Sequence, residues 1–536
     1  MLESEKLTPA IHSNGEPRGS DATALAVTAT IPESESGFVA PDIHPASGAT
    51  SSKTARVFFL FFLTLNFLFL LVSSGRVRTR DEFNADMQAE SLATRGSTAI
   101  PQAVSFYFYG KYDLSGEPQP PYGPAHAAFL VPWYYAGRGI LAMVPGIPYR
   151  AREVVLDAAV VASSATFAAL AVALAFLIFV RLGLSLRISV MAASILALAT
   201  PIFSYSAVLY SEPLTCVFLL GAVAALFGGG NKLVSWQEAT LGGILLGTMI
   251  WVRPAHLIAT PVFLVAILVR DGEKGWRAVR ILGTVVGVFG LAYLWRNHYL
   301  FGDPFDFGYP SVSDGGKNMN SFDTPLFTGL YGFLLSPGKS VFLFAPPILL
   351  AIAGIRKLAR LDRGLAVVVG ALPMVYLFFY ATFTQWEGGF CVGPRYLVPA
   401  IAVLCLGLGP MLENGGKGIR RLAIGLSILG FAVQVINLAT SFFEDQANGR
   451  YYDAHFNYRM DYAPLISMTR QFIHYIKSPI PAPPGLGFDR WFVLMYKAGV
   501  SNGTIAVFLA IELISFAYFA AWLLEFVLPK KRASVD

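Results

Sequence analysis

Charge is scarce in this chain. Only 14% of its 536 residues are Asp, Glu, Lys or Arg, where a soluble globular domain carries about 25%. Cysteine is scarcer still: Cys216 and Cys405 lie inside apolar runs and Cys391 stands alone between runs. Neither a disulfide framework nor a metal-ligand spacing is present. The chain lacks a phosphate-cradling glycine loop, an HExxH and a CxxC pair. It also lacks an acidic triplet of the kind that holds Mg²⁺ for a nucleotide-sugar. No stretch concentrates basic residues, and the net charge of +6 is spread over many short loops. That excludes a nucleic-acid footprint, which needs a concentrated basic face.

What is present is apolar sequence. Hydrophobic residues make up 55% of the chain, and they come in runs of roughly 17–25, the length that crosses a bilayer. The class is therefore an all-α polytopic membrane protein. Residues 1–52 are rich in Ser, Ala, Pro, Gly, Glu and Asp. They read as a disordered cytoplasmic tail, because a signal peptide has a short basic start directly before its apolar core.

Twelve spans are predicted, at 56–74, 153–180, 188–208, 213–229, 239–252, 256–270, 281–299, 339–355, 364–382, 396–412, 422–442 and 503–527. Alternate connections are basic: Arg181 and Arg187; Lys232; Arg270, Lys274, Arg277 and Arg280; Arg356, Lys357, Arg360 and Arg363; Lys417, Arg420 and Arg421; Lys530, Lys531 and Arg532. The intervening short connections hold few cations beyond Arg253, Lys317 and Arg395. The basic set is cytoplasmic by the positive-inside rule. Residues 239–270 read as two short helices turning at Arg253-Pro254, since one long span would put an arginine in hydrocarbon at a cost of several kcal/mol. Residues 125–144 are apolar enough to span, but Pro132, Arg138 and Pro145 interrupt them. They are read as a helix lying on the membrane, against the local pull of Arg76, Arg78 and Arg80. Both termini are then cytoplasmic. Three outer loops are long, at 75–152, 300–338 and 443–502, and chemistry outside the cytoplasm would use them.

The first outer loop opens Arg80-Asp81-Glu82-Phe83. A helix over 81–95 is expected, with Asp81 as a possible N-cap. The plain reading of Asp81 and Glu82 is that they cap and solvate this helix. The alternative is a carboxylate above the bilayer acting as general base on a hydroxyl. Pro120-Pro121-Tyr122-Gly123-Pro124 then reads as a turn back to the membrane, followed by His126 in a packing role.

Cations collect at the outer ends of spans: Arg253 and His256, Arg296 and His298, Lys339 and Arg395. Any one could simply snorkel to the headgroups. Together they suggest an anion site at the outer membrane surface, with a lipid phosphate as the natural ligand. Glu212, in Tyr210-Ser211-Glu212-Pro213, is either helix-start chemistry or a part of that site.

These pieces in this order resemble the GT-C fold of membrane glycosyltransferases that use a polyprenyl-phosphate sugar. The group most similar contains the bacterial relatives of protein O-mannosyltransferases and lipid A aminoarabinose transferase. The likeness rests on Asp81-Glu82 after the first span and on Pro121-Tyr122-Gly123-Pro124-Ala125. It continues through Ser211-Glu212-Pro213, Trp251-Val252-Arg253-Pro254 and Phe301-Gly302-Asp303-Pro304. Gly329-Leu330-Tyr331-Gly332, Ser336-Pro337-Gly338-Lys339 and Gly393-Pro394-Arg395-Tyr396 complete it. Order and spacing cover residues 56–412, each piece alone being weak. The implied organisation is a catalytic core at 53–412 and C-terminal spans at 413–536.

The resemblance implies that Asp81, with Glu82 beside it, is the catalytic base or orients the acceptor. It implies that Arg253, Lys339 and Arg395 hold the donor phosphate, with Glu212, Tyr122, His256 and Arg296 as further site residues. No metal or other cofactor is implied, since arginine and lysine supply the positive charge. Partners would be a polyprenyl-phosphate sugar, a glycan, lipid or protein acceptor, and membrane lipids. The location implied is the plasma (inner) membrane. The aminoarabinose enzymes carry Lys-Pro-Pro in the return segment where this chain has Gln119-Pro120-Pro121, so that lysine is missing, which counts against lipid A specificity. Two other readings stay open on sequence: transfer to protein hydroxyls, and a transporter or flippase for a lipid-linked sugar. The transporter reading expects internal repeats and broken midplane helices, and no convincing two-fold repeat is evident.

Overall fold

The computed structural model describes residues 48–103, 109–227, 232–310, 313–314, 317–318, 320–389, 391–440, 454–477 and 490–528. The tail expected at 1–52 and the basic group at 530–532 lie largely or wholly outside the described residues, as do 443–453 and 478–489 of the 443–502 loop.

Helices dominate. In order they are α1 (Gly48–Leu71), α2 (Arg80–Arg95), α3 (Ala125–Met143), α4 (Arg152–Arg181), α5 (Leu186–Leu198), α6 (Ile202–Tyr205) and α7 (Glu212–Leu226). Next come α8 (Trp236–Val252), α9 (Ala259–Asp271), α10 (Trp276–Phe301), α11 (Leu326–Leu335), α12 (Val341–Phe344), α13 (Ile348–Leu361) and α14 (Arg363–Ala381). The series ends with α15 (Val398–Leu404), α16 (Leu408–Glu413), α17 (Lys417–Ala439), α18 (Pro464–Lys477), α19 (Trp491–Lys497) and α20 (Asn502–Val527). The strands described are two short antiparallel ribbons. One pairs Lys111–Tyr112 with Pro118–Gln119, the other Ser313–Asp314 with Lys317–Asn318.

Among the described residues seven helical stretches are long and apolar enough to cross a membrane: Ser52–Leu71, Tyr149–Arg181, Pro254–Phe301, Arg363–Ala381, Arg395–Glu413, Lys417–Ala439 and Asn502–Val527. The helices α5 and α7 are apolar but shorter. The Pro254–Phe301 stretch holds both α9 and α10, joined by a 3-10 turn at Gly272–Gly275.

Small residues let the helices approach closely. Ala165, Ala168, Ala169, Ala171, Ala173 and Ala175 of α4 are wholly buried, and α4 packs on α1, α3, α5 and α7. On α8, Gly243 and Gly247 sit one turn apart against Val285 and Phe289 of α10, where an added Cβ would lie within 3 Å of either side chain. Gly354 of α13 similarly meets the Gly407 carbonyl. Such small-residue seams replace the water-driven packing that a bilayer cannot supply. The outermost helix, α20, buries little of its surface and packs along α1.

Two expectations meet the structure directly. The chain does break at Arg253, which is extended (φ −155°) between α8 and a 3-10 turn at Pro254–Ile258. Residues 125–143 form one continuous helix through Pro132, packed on α2 and α4.

Candidate functional site

The site begins with a helix start. The cap of α2 is Thr79, in place of the expected Asp81. Its hydroxyl accepts from the Glu82 amide at 3.2 Å, and Glu82 Oε2 accepts from the Thr79 and Arg78 amides at 2.8 and 3.0 Å. This reciprocal box satisfies the first orphan donors of the helix. Glu82 Oε1 also accepts from the Leu209 amide at 3.0 Å, which pegs the start of α2 to the loop before α7. Burial pushes the Glu82 carboxyl up, and Arg78 with the Thr79 amide pulls the other way. Glu82 is buried and anchors the start of α2, and it does not line the cavity that Asp81 faces.

Successive helical residues point about 100° apart. With Glu82 turned inward, Asp81 is left facing a cavity of about 1510 Å³. Its Oδ2 accepts from Arg395 Nη1 at 2.6 Å, and its Oδ1 accepts from the Tyr122 hydroxyl. Burial alone would raise this carboxyl. Arg395, the Tyr122 hydroxyl and Arg253 overcome it and hold Asp81 below the ordinary carboxylate value.

Tyr122 is delivered by the return segment. Gly123 presses against the Trp251 carbonyl so closely that a Cβ would meet that oxygen at 1.8 Å. This contact docks the Pro-Pro-Tyr-Gly-Pro turn onto the end of α8, beside Arg253. The Arg253 guanidinium stands 5.8 Å from the Tyr122 ring centre and 5.5 Å from that of Tyr396, within cation–π range. Burial first, then Asp81, pushes the Tyr122 hydroxyl well up, so it stays a donor.

Behind the cavity wall lies Glu212. Its Oε1 accepts from Arg395 Nε at 2.8 Å and lies 3.8 Å from Arg253 Nη1. The order Asp81, Arg395, Glu212, Arg253 therefore alternates in sign, two acids against two bases. Arg395 is further pinned over the Tyr210 ring at 3.8 Å, and the chain approaches it through Gly388, whose φ of +83° suits glycine.

Part of the cavity lining is apolar: Leu257, Ile258 and Pro261 after Arg253, Phe322 from the loop before α11, and Phe379 of α14, which packs on α9. Phe322 packs at a tilt against Phe379 and Phe383, with ring centres 4.9 and 5.4 Å apart. The lining also takes in Arg76, Arg78, Arg80, Arg150, Asp157 and Lys497, from the 75–80 segment, the start of α4 and α19. These elements are tied together, since the Trp491 amide donates to the Ser73 carbonyl at 3.1 Å.

The remaining expected residues fall elsewhere. Lys339 is 1% exposed and does not line the cavity; its ammonium donates to the Cys391 carbonyl at 2.9 Å. It ties down the loop that leads to Arg395, a position without access to a donor phosphate. His256 turns inward between Tyr376 (2.9 Å) and Thr215 (3.3 Å). Arg296 lies over Tyr293 and bonds Asn297, away from the cavity lining. His126 is buried. Reading the sequence missed the aromatic wall of Tyr109, Tyr210, Tyr309 and Tyr396. Tyr210 and Tyr396 sit inside the quoted motifs and could have been found there. Tyr309 carries no local signal; it lines the cavity and makes an edge contact with Tyr122 at 6.4 Å. Among the described residues no group of three or more His, Cys, Asp or Glu converges as a metal-ligand set.

No protein-family model matches this chain, and no curated protein matches it.

Proposed function

We propose that this protein is a membrane glycosyltransferase of GT-C type that moves a sugar from a polyprenyl-phosphate carrier to a hydroxyl on a cell-envelope glycan or lipid. The proposed core has about twelve crossings in the plasma membrane, with both termini cytoplasmic and the cavity on the outer face. The observation that carries the reading is Asp81. Its carboxylate faces a large cavity, between paired guanidinium groups and an aromatic wall, and the apolar part of that cavity's lining suits a prenyl chain.

In the proposed reaction the acceptor oxygen attacks the anomeric carbon as the bond from that carbon to the phosphate oxygen breaks. The bonding pair leaves with the carrier, which becomes a phosphate monoester. Asp81 accepts the hydroxyl hydrogen bond and aligns the oxygen. Because Arg395 and Tyr122 depress its pKa, Asp81 takes the proton late, as positive charge builds on the sugar. The ring carbons of a sugar suit the tyrosine faces of the wall. The leaving phosphate fits beside Arg253, the cavity cation next in sequence to the apolar lining residues Leu257, Ile258 and Pro261. Fixed donors in a partly dry site stabilise developing charge most effectively.

The test is a transfer assay on purified protein with a panel of polyprenyl-phosphate sugars, following loss of the lipid donor. Consumption of one donor, dependent on Asp81, supports the reading. A protein that consumes none of the panel and instead moves a lipid-linked sugar across a vesicle membrane is a transporter.

A further inference from the structure

One residue of the cavity lining has no task in the proposed reaction. Among the described residues the lining holds three neutral polar side chains besides tyrosine: Thr79, Asn320 and Gln385. Two of them are spent. The Thr79 hydroxyl caps α2. The Asn320 amide donates to the Pro310 carbonyl at 2.9 Å, and its oxygen accepts from the Tyr109 hydroxyl at 2.9 Å. The Gln385 carboxamide has no hydrogen-bond partner among the described residues. The backbone around it is nevertheless fixed. The Thr384 amide donates to the Ser321 carbonyl at 2.8 Å, the Trp386 amide to the Phe383 carbonyl at 3.0 Å, and the Gly388 amide to the Gln385 carbonyl at 2.9 Å. Trp386 is buried edge-on against Phe333. A free donor and acceptor on a backbone held on both sides serve a ligand and not the fold.

The chain places Gln385 beside the reacting centre. Two residues before it, Phe383 packs on Phe322 and meets the Tyr396 ring edge-on at 5.9 Å. The Arg253 guanidinium stands 5.5 Å from the centre of that Tyr396 ring. Three residues after it, the Gly388 carbonyl lies 3.5 Å from Arg395 Nη1, the nitrogen that also bonds Asp81. The loop carrying Gln385 therefore runs from the neighbours of Arg253, which suits the leaving phosphate, to the partner of Asp81, which meets the acceptor. The transferred sugar lies between those two. A carboxamide presents an N–H donor and a C=O acceptor side by side in one plane. Two hydroxyls on neighbouring ring carbons, one accepting and one donating, match that pair. An anionic ring substituent matches only the N–H half and sets its lone pairs against the C=O.

We propose, resting on the transferase reading, that Gln385 selects the sugar: its carboxamide donates to one ring hydroxyl of the donor sugar and accepts from the adjacent one. The substrate class is then a neutral sugar with a free pair of neighbouring hydroxyls.

The test uses the full chain in neutral detergent, with undecaprenyl-phosphate glucose, mannose and galactose as probes, since these differ in how neighbouring hydroxyls are set on the ring. For the tightest binder, analogues each lacking one ring hydroxyl are titrated against the parent, Gln385→Ala and Gln385→Met, the last keeping the side-chain length. Removing either hydroxyl of the pair is expected to weaken binding to the parent about three- to tenfold, the worth of a neutral hydrogen bond. The same removal is expected to cost either variant almost nothing. Variants that keep the parent's penalties for the missing hydroxyls overturn the proposal, as does a parent that shows no such penalty. Transfer is followed in the same samples. A parent that binds a probe and transfers none loses the transferase reading, while the binding comparison still decides for or against Gln385. A parent that binds none of the probes overturns both.

Discussion

Arg395 Nη1 lies 2.6 Å from Asp81 Oδ2, although 314 residues of chain separate them. That pairing joins the segment after the first span to the loop before α15, and it makes one site of two distant motifs. It also fixes the state of the carboxylate. Asp81 is held ionised by its partners and is oriented by two donors, which leaves it a positioned acceptor for a hydroxyl hydrogen bond.

The first prediction concerns that carboxylate. Asp81→Asn keeps size and shape but removes the charge that polarises the acceptor. Transfer is expected to fall by a factor on the order of a hundred to ten thousand, the usual contribution of a positioned base. Expression, membrane insertion and thermal unfolding should stay near those of the parent, because the Thr79 and Glu82 cap that starts α2 is untouched. A variant with parental transfer rates removes Asp81 from the chemistry.

Tyr122→Phe tests how the carboxylate is tuned. The Tyr122 hydroxyl is one of the groups that lower Asp81 below the ordinary value of 3.8. In the parent, activity should therefore persist down to that value and fail only as the pH drops through the lower, site-held pKa. Removing one lowering group raises the pKa, so the acid limb of the rate profile moves to higher pH. The plateau at neutral pH should change less than the limb. A limb that stays in place, or moves to lower pH, contradicts the assigned bond.

Some of this was legible without coordinates. Apolar runs mark the helices because a bilayer demands unbroken backbone bonding. Arg253-Pro254 marks a break, because proline cannot continue α8 and arginine avoids hydrocarbon. The motifs around Asp81, Tyr122, Arg253 and Arg395 could be quoted in order, yet their convergence is a tertiary fact. The cap was misplaced by two residues, since Asp81 and Thr79 are both good capping types and only the fold decides which side chain points along the helix start. Lys339 looked like a phosphate ligand because its charge is visible in sequence and its direction is not. It points at the Cys391 carbonyl, where its stem is enclosed. The basic residues of the cavity lining were hidden for another reason. Arg76, Arg78 and Arg80 read as a topology signal, and Arg150 and Lys497 lie far along the chain.

Lys339→Met therefore has a different expected outcome from a phosphate-ligand mutant. Methionine fills the volume but leaves the Cys391 carbonyl without its charged donor, a loss of about 1–3 kcal/mol for a buried acceptor. The loop from Gly388 to Arg395 should loosen, and kcat should fall several-fold as Arg395 loses its fixed place. The KM for the lipid donor should hold. Kinetics at varied donor concentration decide the point: a rise in donor KM with constant kcat returns Lys339 to the phosphate site.

Glu212 and Asp81 both pair with Arg395, and the last prediction separates their roles. Glu212 has a side chain only 4% exposed, against 27% for Asp81. Glu212→Gln leaves two buried arginines, Arg395 and Arg253, without the carboxylate between them. Breaking a buried pair by removing one partner costs about 3–5 kcal/mol, because the other charge is left uncompensated. Asp81 borders the cavity, where water can solvate what its removal exposes. Thermal unfolding in detergent should thus drop clearly for Glu212→Gln and little for Asp81→Asn, while transfer activity is lost in both. The physical cause differs: one variant lacks the group that meets the acceptor, the other lacks the charge that keeps Arg395 aimed at it. Equal stability losses in the two variants would refute this division, as would an Asp81→Asn protein less stable than Glu212→Gln.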